Sequence, residues 1–184
     1  TRLRRNRMKE FSRRLVAENN LSTDDLILPL FVCEGNNIED PIESMPGISR
    51  YSIDKLLNKV ENAMQLSIPA IALFPQIDNN LKDAKGSLAV DENNLVCRSI
   101  KSIKKQFSEI GIICDVALDP FTDHGHDGLL INNKIDNDKT LEILEKQTLV
   151  QVHAGCDVIA PSDMMDGRVG RIRTILDNRL MFTS

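Results

Sequence analysis

The sequence predicts an α/β fold on a parallel sheet, and three observations predict it. Four short runs are apolar on both faces, as strands buried in a parallel sheet are. Each is followed by a stretch whose apolar residues recur at helical spacing. Polar and ionisable residues gather just after each run, where such folds present their sites. The chain has 184 residues, 41% of them hydrophobic and 27% charged, enough for one domain with a real core.

Residues 1–25 are expected to form an arm. Arg2, Arg4, Arg5, Arg7, Lys9, Arg13 and Arg14 crowd it, opposed there by Glu10. Phe11, Leu15 and Val16 add an apolar stripe at helical spacing, as in a helix that docks on something. A basic arm can bind nucleic acid or anionic lipid. This one lacks interleaved aromatics, and net charge over the chain is -4, so a solvated or subunit-clasping arm is expected, without nucleic acid or membrane as partner.

The first strand is Leu26–Val32, followed by a loop from Glu34 to Tyr51 rich in turn residues (Pro41, Pro46, Gly47). Ser52 is placed to cap a first helix carrying Ile53, Leu56, Leu57, Val60 and Met64. The second strand is Pro69–Phe74, closed by Pro75, and a loop to Asp91 follows with Lys82, Asp83, Lys85 and Gly86. The second helix spans about 93–107, with Leu95, Val96, Ile100, Ile103 and Phe107 inward and Lys101, Lys104 and Lys105 on a solvated face.

The third strand opens GIICDVALDPFTDHGHDGLL, residues 111–130, around which the chain is organised. Ile112, Ile113, Val116 and Leu118 are its apolar part; Asp115, Asp119, Asp123, His124, His126 and Asp127 crowd its end. Asn137 or Asp138 caps the third helix, and Gly155 ends it as a C′ glycine does. The fourth strand, Asp157–Ala160, runs into Pro161-Ser162-Asp163. A fourth helix opens at Asp166-Gly167, with Val169, Ile172 and Leu176 inward. Strict alternation does not by itself separate an open doubly wound sheet from a barrel. With no GxGxxG after the first strand and no Walker A pattern, nucleotide binding has no support.

The polar residues after the strands are Glu34, then Lys82 and Asp83, then Asp115, Asp119 and Asp127, then Ser162 and Asp163. In a barrel they share one rim. Singly, an aspartate after a strand is often a cap or turn former; together they point to a site. His124 and His126 could ligate zinc only with a third ligand, and the oxygen-rich surroundings suit a hard cation better. Structural histidines are the expected reading, and His153 in the third helix has no special role. Cys33, Cys97, Cys114 and Cys156 are scattered, with no CxxC, as in a reducing compartment without disulfides. No apolar run approaches the roughly 20 residues of a membrane span, and no secretory h-region follows the basic start, so a cytoplasmic protein is expected.

Several segments closely resemble porphobilinogen synthase, also called δ-aminolevulinic acid dehydratase. They are DLILPLFV (25–32), PIESMPGISR (41–50), IPAIALFP (68–75), LKDAKGSLA (81–89), DVALDPFTDHGHDG (115–128) and APSDMMDGR (160–168). The resemblance implies a TIM (β/α)8 barrel, of which 26–178 hold about the first four βα units. It implies an arm that embraces a neighbour in a homo-octamer. It also implies condensation of two 5-aminolevulinate molecules to porphobilinogen in tetrapyrrole synthesis. Asp115 and Ser162 match active-site positions for proton handling and hydrogen bonding to substrate. Where zinc-type members carry three cysteines, this chain has Ala117, Asp119 and Asp127, so catalytic zinc is not expected. Magnesium at an allosteric subunit contact is what such members often use, and Arg168 matches a position there; the glutamate partner of that magnesium falls outside this sequence. Leu88 stands where the family usually has glutamate.

The resemblance also implies two Schiff-base lysines on later strands, beyond Ser184, together with the arginines for the substrate carboxylates. The match is lost after Asn178, and residues 179–184 read as an aberrant or truncated tail. Half a barrel exposes strand edges and an inner face. At roughly 25 cal/mol per Å², several hundred Å² of it cost on the order of 10 kcal/mol, comparable to a domain's net stability. Size-exclusion chromatography of the isolated chain is expected to show association or aggregation. A soluble, cooperatively unfolding monomer is the contrary result.

Overall fold

The computed structural model describes residues 2 and 4–179, the last by its backbone. Thr1, Leu3 and the tail from 180 onward lie outside the described residues. The arm forms two short helices, α1 (Arg5–Met8) and α2 (Glu10–Leu15). Its apolar side chains find no cover within the chain: Met8, Phe11, Leu15 and Val16 are all exposed.

A 3₁₀ turn closed by a Ser22–Asp25 capping box leads into β1 (Ile27–Val32). The stretch expected to be an irregular loop instead contains a hairpin, β2 (Glu39–Pro41) and β3 (Ser49–Tyr51). β3 lies parallel to the upper end of β1, pairing Arg50 with Phe31 and Tyr51 with Val32. The proline and glycine that signalled turns sit at or beyond the ends of these three-residue strands, too short to show an alternating pattern. Ser52 stands at the N-cap of α3 (Ile53–Gln65), but its hydroxyl donates to Asp54 (2.6 Å) and accepts from the Ile38 amide (2.8 Å), tying the hairpin to the helix.

The alternation then proceeds as expected: β4 (Ala70–Pro75), α4 (Leu95–Gln106, capped by Asn94), β5 (Gly111–Val116). A small hairpin follows, β6 (Leu130–Ile131) with β7 (Lys134–Ile135). Next come α5 (Asn137–Ala154), β8 (Val158–Pro161) and α6 (Arg168–Arg179). Asp136, rather than Asn137 or Asp138, caps α5 by accepting the Lys139 amide at 3.0 Å. Gly155, at φ +110°, ends it in the left-handed region where a side chain is strained.

The main sheet runs β2-β3-β1-β4-β5-β8, and its four long strands are parallel neighbours in sequence order. Alternation along each strand sorts its residues between two faces. Leu30, Val32, Ile71, Leu73, Ile112, Cys114 and Val116 are buried in one core with Leu56 and Val60 of α3, Ile100 and Ile103 of α4, and Leu144 of α5. The other face carries Ile27, Pro29 and Phe31, then Ala70, Ala72 and Phe74, then Ile113 and Asp115, then Val158 and Ala160. Among the described residues no helix covers it: Ile27 is 55% exposed and Val158 50%. Phe31 and Phe74 meet across it with ring centres 5.6 Å apart.

Two expected orientations change. Val169 of α6 faces outward, while Ile172 and Leu176 point inward. Lys104 is not on a solvated face: its ammonium reaches the Ile110 carbonyl (2.9 Å) and Asp157 (2.7 Å). Asp157 also accepts the Ile112 amide at 2.7 Å, so this pair clamps the start of β8 onto β5. All four cysteines are free and buried. Among the described residues no helix is long and apolar enough to cross a membrane.

Val158 lies on the open face of the outermost strand, where an inward charge opposes edge-to-edge association. Val158→Lys is expected to reduce self-association in analytical ultracentrifugation with an unchanged circular dichroism spectrum. Ile71→Ala, in the covered core, is expected to cost about 2–5 kcal/mol in denaturant unfolding.

Candidate active site

Among the four long strands the open face carries one ionisable residue, Asp115, near the C-terminal end of β5 and opposite Ala160 of β8. β8 then delivers Ser162 alongside it. Burial pushes the Asp115 carboxyl above its ordinary range, and the negative charge of Asp127 adds to this; the Ser162 hydroxyl and amide pull it back. One carboxyl oxygen of Asp115 is buried with no partner. Asp119 is likewise raised, first by burial and then by Asp115 and Asp127, with Lys82 acting against them. Three of the strand-end segments, those of β4, β5 and β8, thus bring Asp115, Asp119, Asp127, Ser162 and Lys82 into one electrostatic cluster.

The loop between β5 and β6 is built to hold these groups. Leu118 and Phe121 are buried and anchor it, while the amides of Phe121 and Thr122 both donate to the Leu118 carbonyl. The preceding β4 loop locks onto it: the Asp83 amide donates to the Phe121 carbonyl, and the Asp123 amide to that of Asp83. Asp83 itself is a turn former. Its carboxylate accepts the Lys85 and Ser87 amides, each at 2.9 Å, and these bonds hold it below the usual carboxylate range. Leu88, in the same loop, packs against the core. Gly128 leaves no room for a side chain, since a Cβ there would stand 2.7 Å from Ile135.

The histidines serve the loop. His124 Nδ1 accepts the His126 amide at 3.2 Å, and His126 Nδ1 accepts the Gly128 amide at 3.1 Å. Those nitrogens are committed to backbone, and among the described residues no three His, Cys, Asp or Glu side chains converge to hold a metal ion. Ala117 offers no ligand where a thiolate would bind zinc, so the donor set does not fit that metal. Arg168 ion-pairs with buried Asp163 at 3.4 Å and donates to the Met165 carbonyl, and a guanidinium does not ligate a cation directly.

Other candidates stand apart. Glu34 is exposed and ion-paired with Arg98. Asp163 is buried beneath the rim and accepts the Met165 amide at 2.7 Å; burial raises its carboxyl, against the pull of that amide and of Arg168. A groove of about 700 Å³ lies away from this rim. It lies between β8 and α6, lined by Ile159, Pro161, Ile172 and Leu176 among others.

Sequence reasoning passed over Gln147 and Gln151, both buried in α5. Their side-chain amides donate to the carbonyls of Ala117 (3.1 Å) and Asp115 (2.9 Å). The signal that could have found them is two amides spaced i, i+4 in line with Leu144 and Ala154 on the inward face.

A family model described as delta-aminolevulinic acid dehydratase matches residues 1–183. A delta-aminolevulinic acid dehydratase of Bradyrhizobium diazoefficiens is 59% identical over 174 residues, 95% of this chain and 49% of the relative. One from Chlamydia pneumoniae is 46% identical over 174 residues, 95% of this chain and 52% of the relative. The crystal structure of the Toxoplasma gondii enzyme (porphobilinogen synthase), in complex with its reaction product porphobilinogen, superimposes with a TM-score of 0.92 at 42% identity. That match covers 97% of this chain and 51% of the solved one. The chain therefore spans about half the length of these relatives, and its open four-unit sheet corresponds to half of their barrel. With the family model matched across nearly every residue, the chain belongs to the delta-aminolevulinic acid dehydratase family.

Proposed function

We propose that this chain carries the acid–base half of a site that condenses two 5-aminolevulinate molecules to porphobilinogen. The observation that supports it is the cluster at the rim of the open face: Asp115 and Asp119 are both raised by burial and by neighbouring charge, with Ser162 beside Asp115. A carboxyl raised in this way holds its proton closer to neutral pH, which suits moving protons during a condensation that expels water. Asp127 tunes both by repulsion, and the Ser162 hydroxyl supplies a donor for a substrate oxygen or amine.

The same geometry limits the chain. A Schiff-base lysine must be desolvated or set beside other cations. None of the four long strands carries a lysine, and Lys82 stands among carboxylates. We therefore assign the carbonyl-activating amines to the portion of the relatives that this chain does not span. By the resemblance we assign magnesium to an allosteric subunit contact near Arg168. The exposed apolar side chains of α1 and α2 favour the arm as the subunit-clasping element of a homo-oligomer. A cytoplasmic setting fits four free, buried thiols.

The deciding assay is porphobilinogen formation from 5-aminolevulinate. The chain alone is expected to give no turnover, and mixing it with the complementary half of a relative is expected to restore it. Turnover by the chain alone at the rate of intact relatives would overturn the division of labour. Continued silence of the mixture, with a closed barrel formed, would favour a chain that only docks on full-length subunits.

The raised carboxyls also set a pH dependence. The folded state retains protons that the unfolded chain releases, so stability declines as pH rises from the ordinary carboxylate range through the raised folded values. Asp115→Asn removes one of these groups and part of the mutual repulsion. Its unfolding midpoint, followed against pH, is expected to fall less steeply through that window than that of the unaltered chain.

A further inference from the structure

The rim acids are held from behind by two amides that no part of the proposed chemistry uses. Gln147 and Gln151 lie one turn apart on α5 and are both about 1% exposed. Their Nε2 groups donate to the carbonyls of Ala117 and Asp115. The spacing matches: four helix residues rise about 6 Å and two strand residues about 6.6 Å. The order is antiparallel, 147 to 117 and 151 to 115, as a helix returning along its own strand requires. The carbonyls need donors there. The Gly111 amide donates to the Pro69 carbonyl, so by alternation the Asp115 and Ala117 carbonyls also point toward β4, whose pairing with β5 ends at Leu73 and Cys114; the β4 residue in line for the Asp115 carbonyl is Pro75, which has no N–H to give.

The grip is costly. Each amide spends its donor and leaves its Oε1 buried without a partner. A buried polar atom left unmet costs about 1–3 kcal/mol, which leucines at these positions would avoid. The targets are also the backbone of Asp115 itself and of the residue two before Asp119.

We propose that Gln147 and Gln151 are positioning residues: they lock the end of β5 from the helix layer and so fix where Asp115 and Asp119 stand at the rim. The proposal rests on reading Asp115 as part of the reactive cluster, and its test has a readout independent of turnover. Gln147→Met and Gln151→Met keep the length and lose the donor. Thr148→Val is the control. Its hydroxyl is also buried on α5 but makes no bond to a β5 carbonyl.

The experiment follows the Asp115 carboxyl by infrared titration of ¹³C-aspartate-labelled full chain, with Asp115→Asn subtracted, beside a thermal melt of each variant. This works in whatever assembly state the chain adopts. Freed of the grip, Asp115 is expected to relax toward water and its midpoint to fall toward the ordinary carboxylate range in either methionine variant, and not in Thr148→Val. In a barrel completed by the other half, kcat is expected to drop roughly 10- to 100-fold with the change in KM smaller. An Asp115 midpoint unmoved in both methionine variants, with melting lowered as in the control, would reduce the glutamines to core packing and overturn the proposal. If one methionine variant loses its fold, the other is read in the same way. A moved midpoint with no turnover in any barrel would instead count against the proposed function.

Discussion

A β-strand in a parallel sheet has two faces to bury, and this chain supplies cover for only one. Leu30, Ile71, Leu73, Ile112 and Cys114 are sealed beneath α3, α4 and α5. Ile27, Ile113 and Val158 are on the side that no helix among the described residues reaches. Much else in the molecule depends on that asymmetry. The helices are placed by the buried row, the rim loops by the helices, and the acid cluster by the loops. The open side is where the partial burial of Asp115 originates, since its carboxyl sits at the end of an apolar face rather than in bulk water.

The chemistry at the rim is held by backbone more than by side-chain pairing. Asp83, His124 and His126 each spend their acceptors on nearby amides. They shape loops and leave the charge of the cluster to Asp115, Asp119 and Asp127. Like charges held near one another in a half-buried site raise each other's affinity for protons. The same arrangement that prepares the carboxyls for proton transfer therefore subtracts from stability, a common tension where function is built into a fold.

Much of this was legible in the residues. The four long strands and their helices follow from apolar runs and helical spacing. Asp115 and Ser162 were each expected at the site from a resemblance carried by long motifs, and the environment of Asp115 bears on the proposal. What the sequence hid was short or paid for by distant partners. β2 and β3 have three residues each, too few for a periodic signal, and exist because β1 offers an edge. Val169 fits the apolar spacing of α6 yet points away from the core, since spacing marks a stripe without fixing its centre. Lys104 reads as a surface lysine until Asp157, 53 positions away in the chain, comes beside it. Gln147 and Gln151 look like ordinary polar helix residues because their targets are carbonyls, which no side-chain pattern reveals.

The β2–β3 hairpin has one further consequence. It occupies the flank of β1 at Phe31 and Val32 and leaves the flank at Ile27–Leu30 unclaimed. A strand arriving there to shut the ring can engage only the lower four positions. Its offset along the axis is thus dictated before it arrives. Strand number, tilt and stagger are linked in any closed barrel. A turn-rich insertion near the beginning of the chain thereby sets the seam at which the complete cylinder must join.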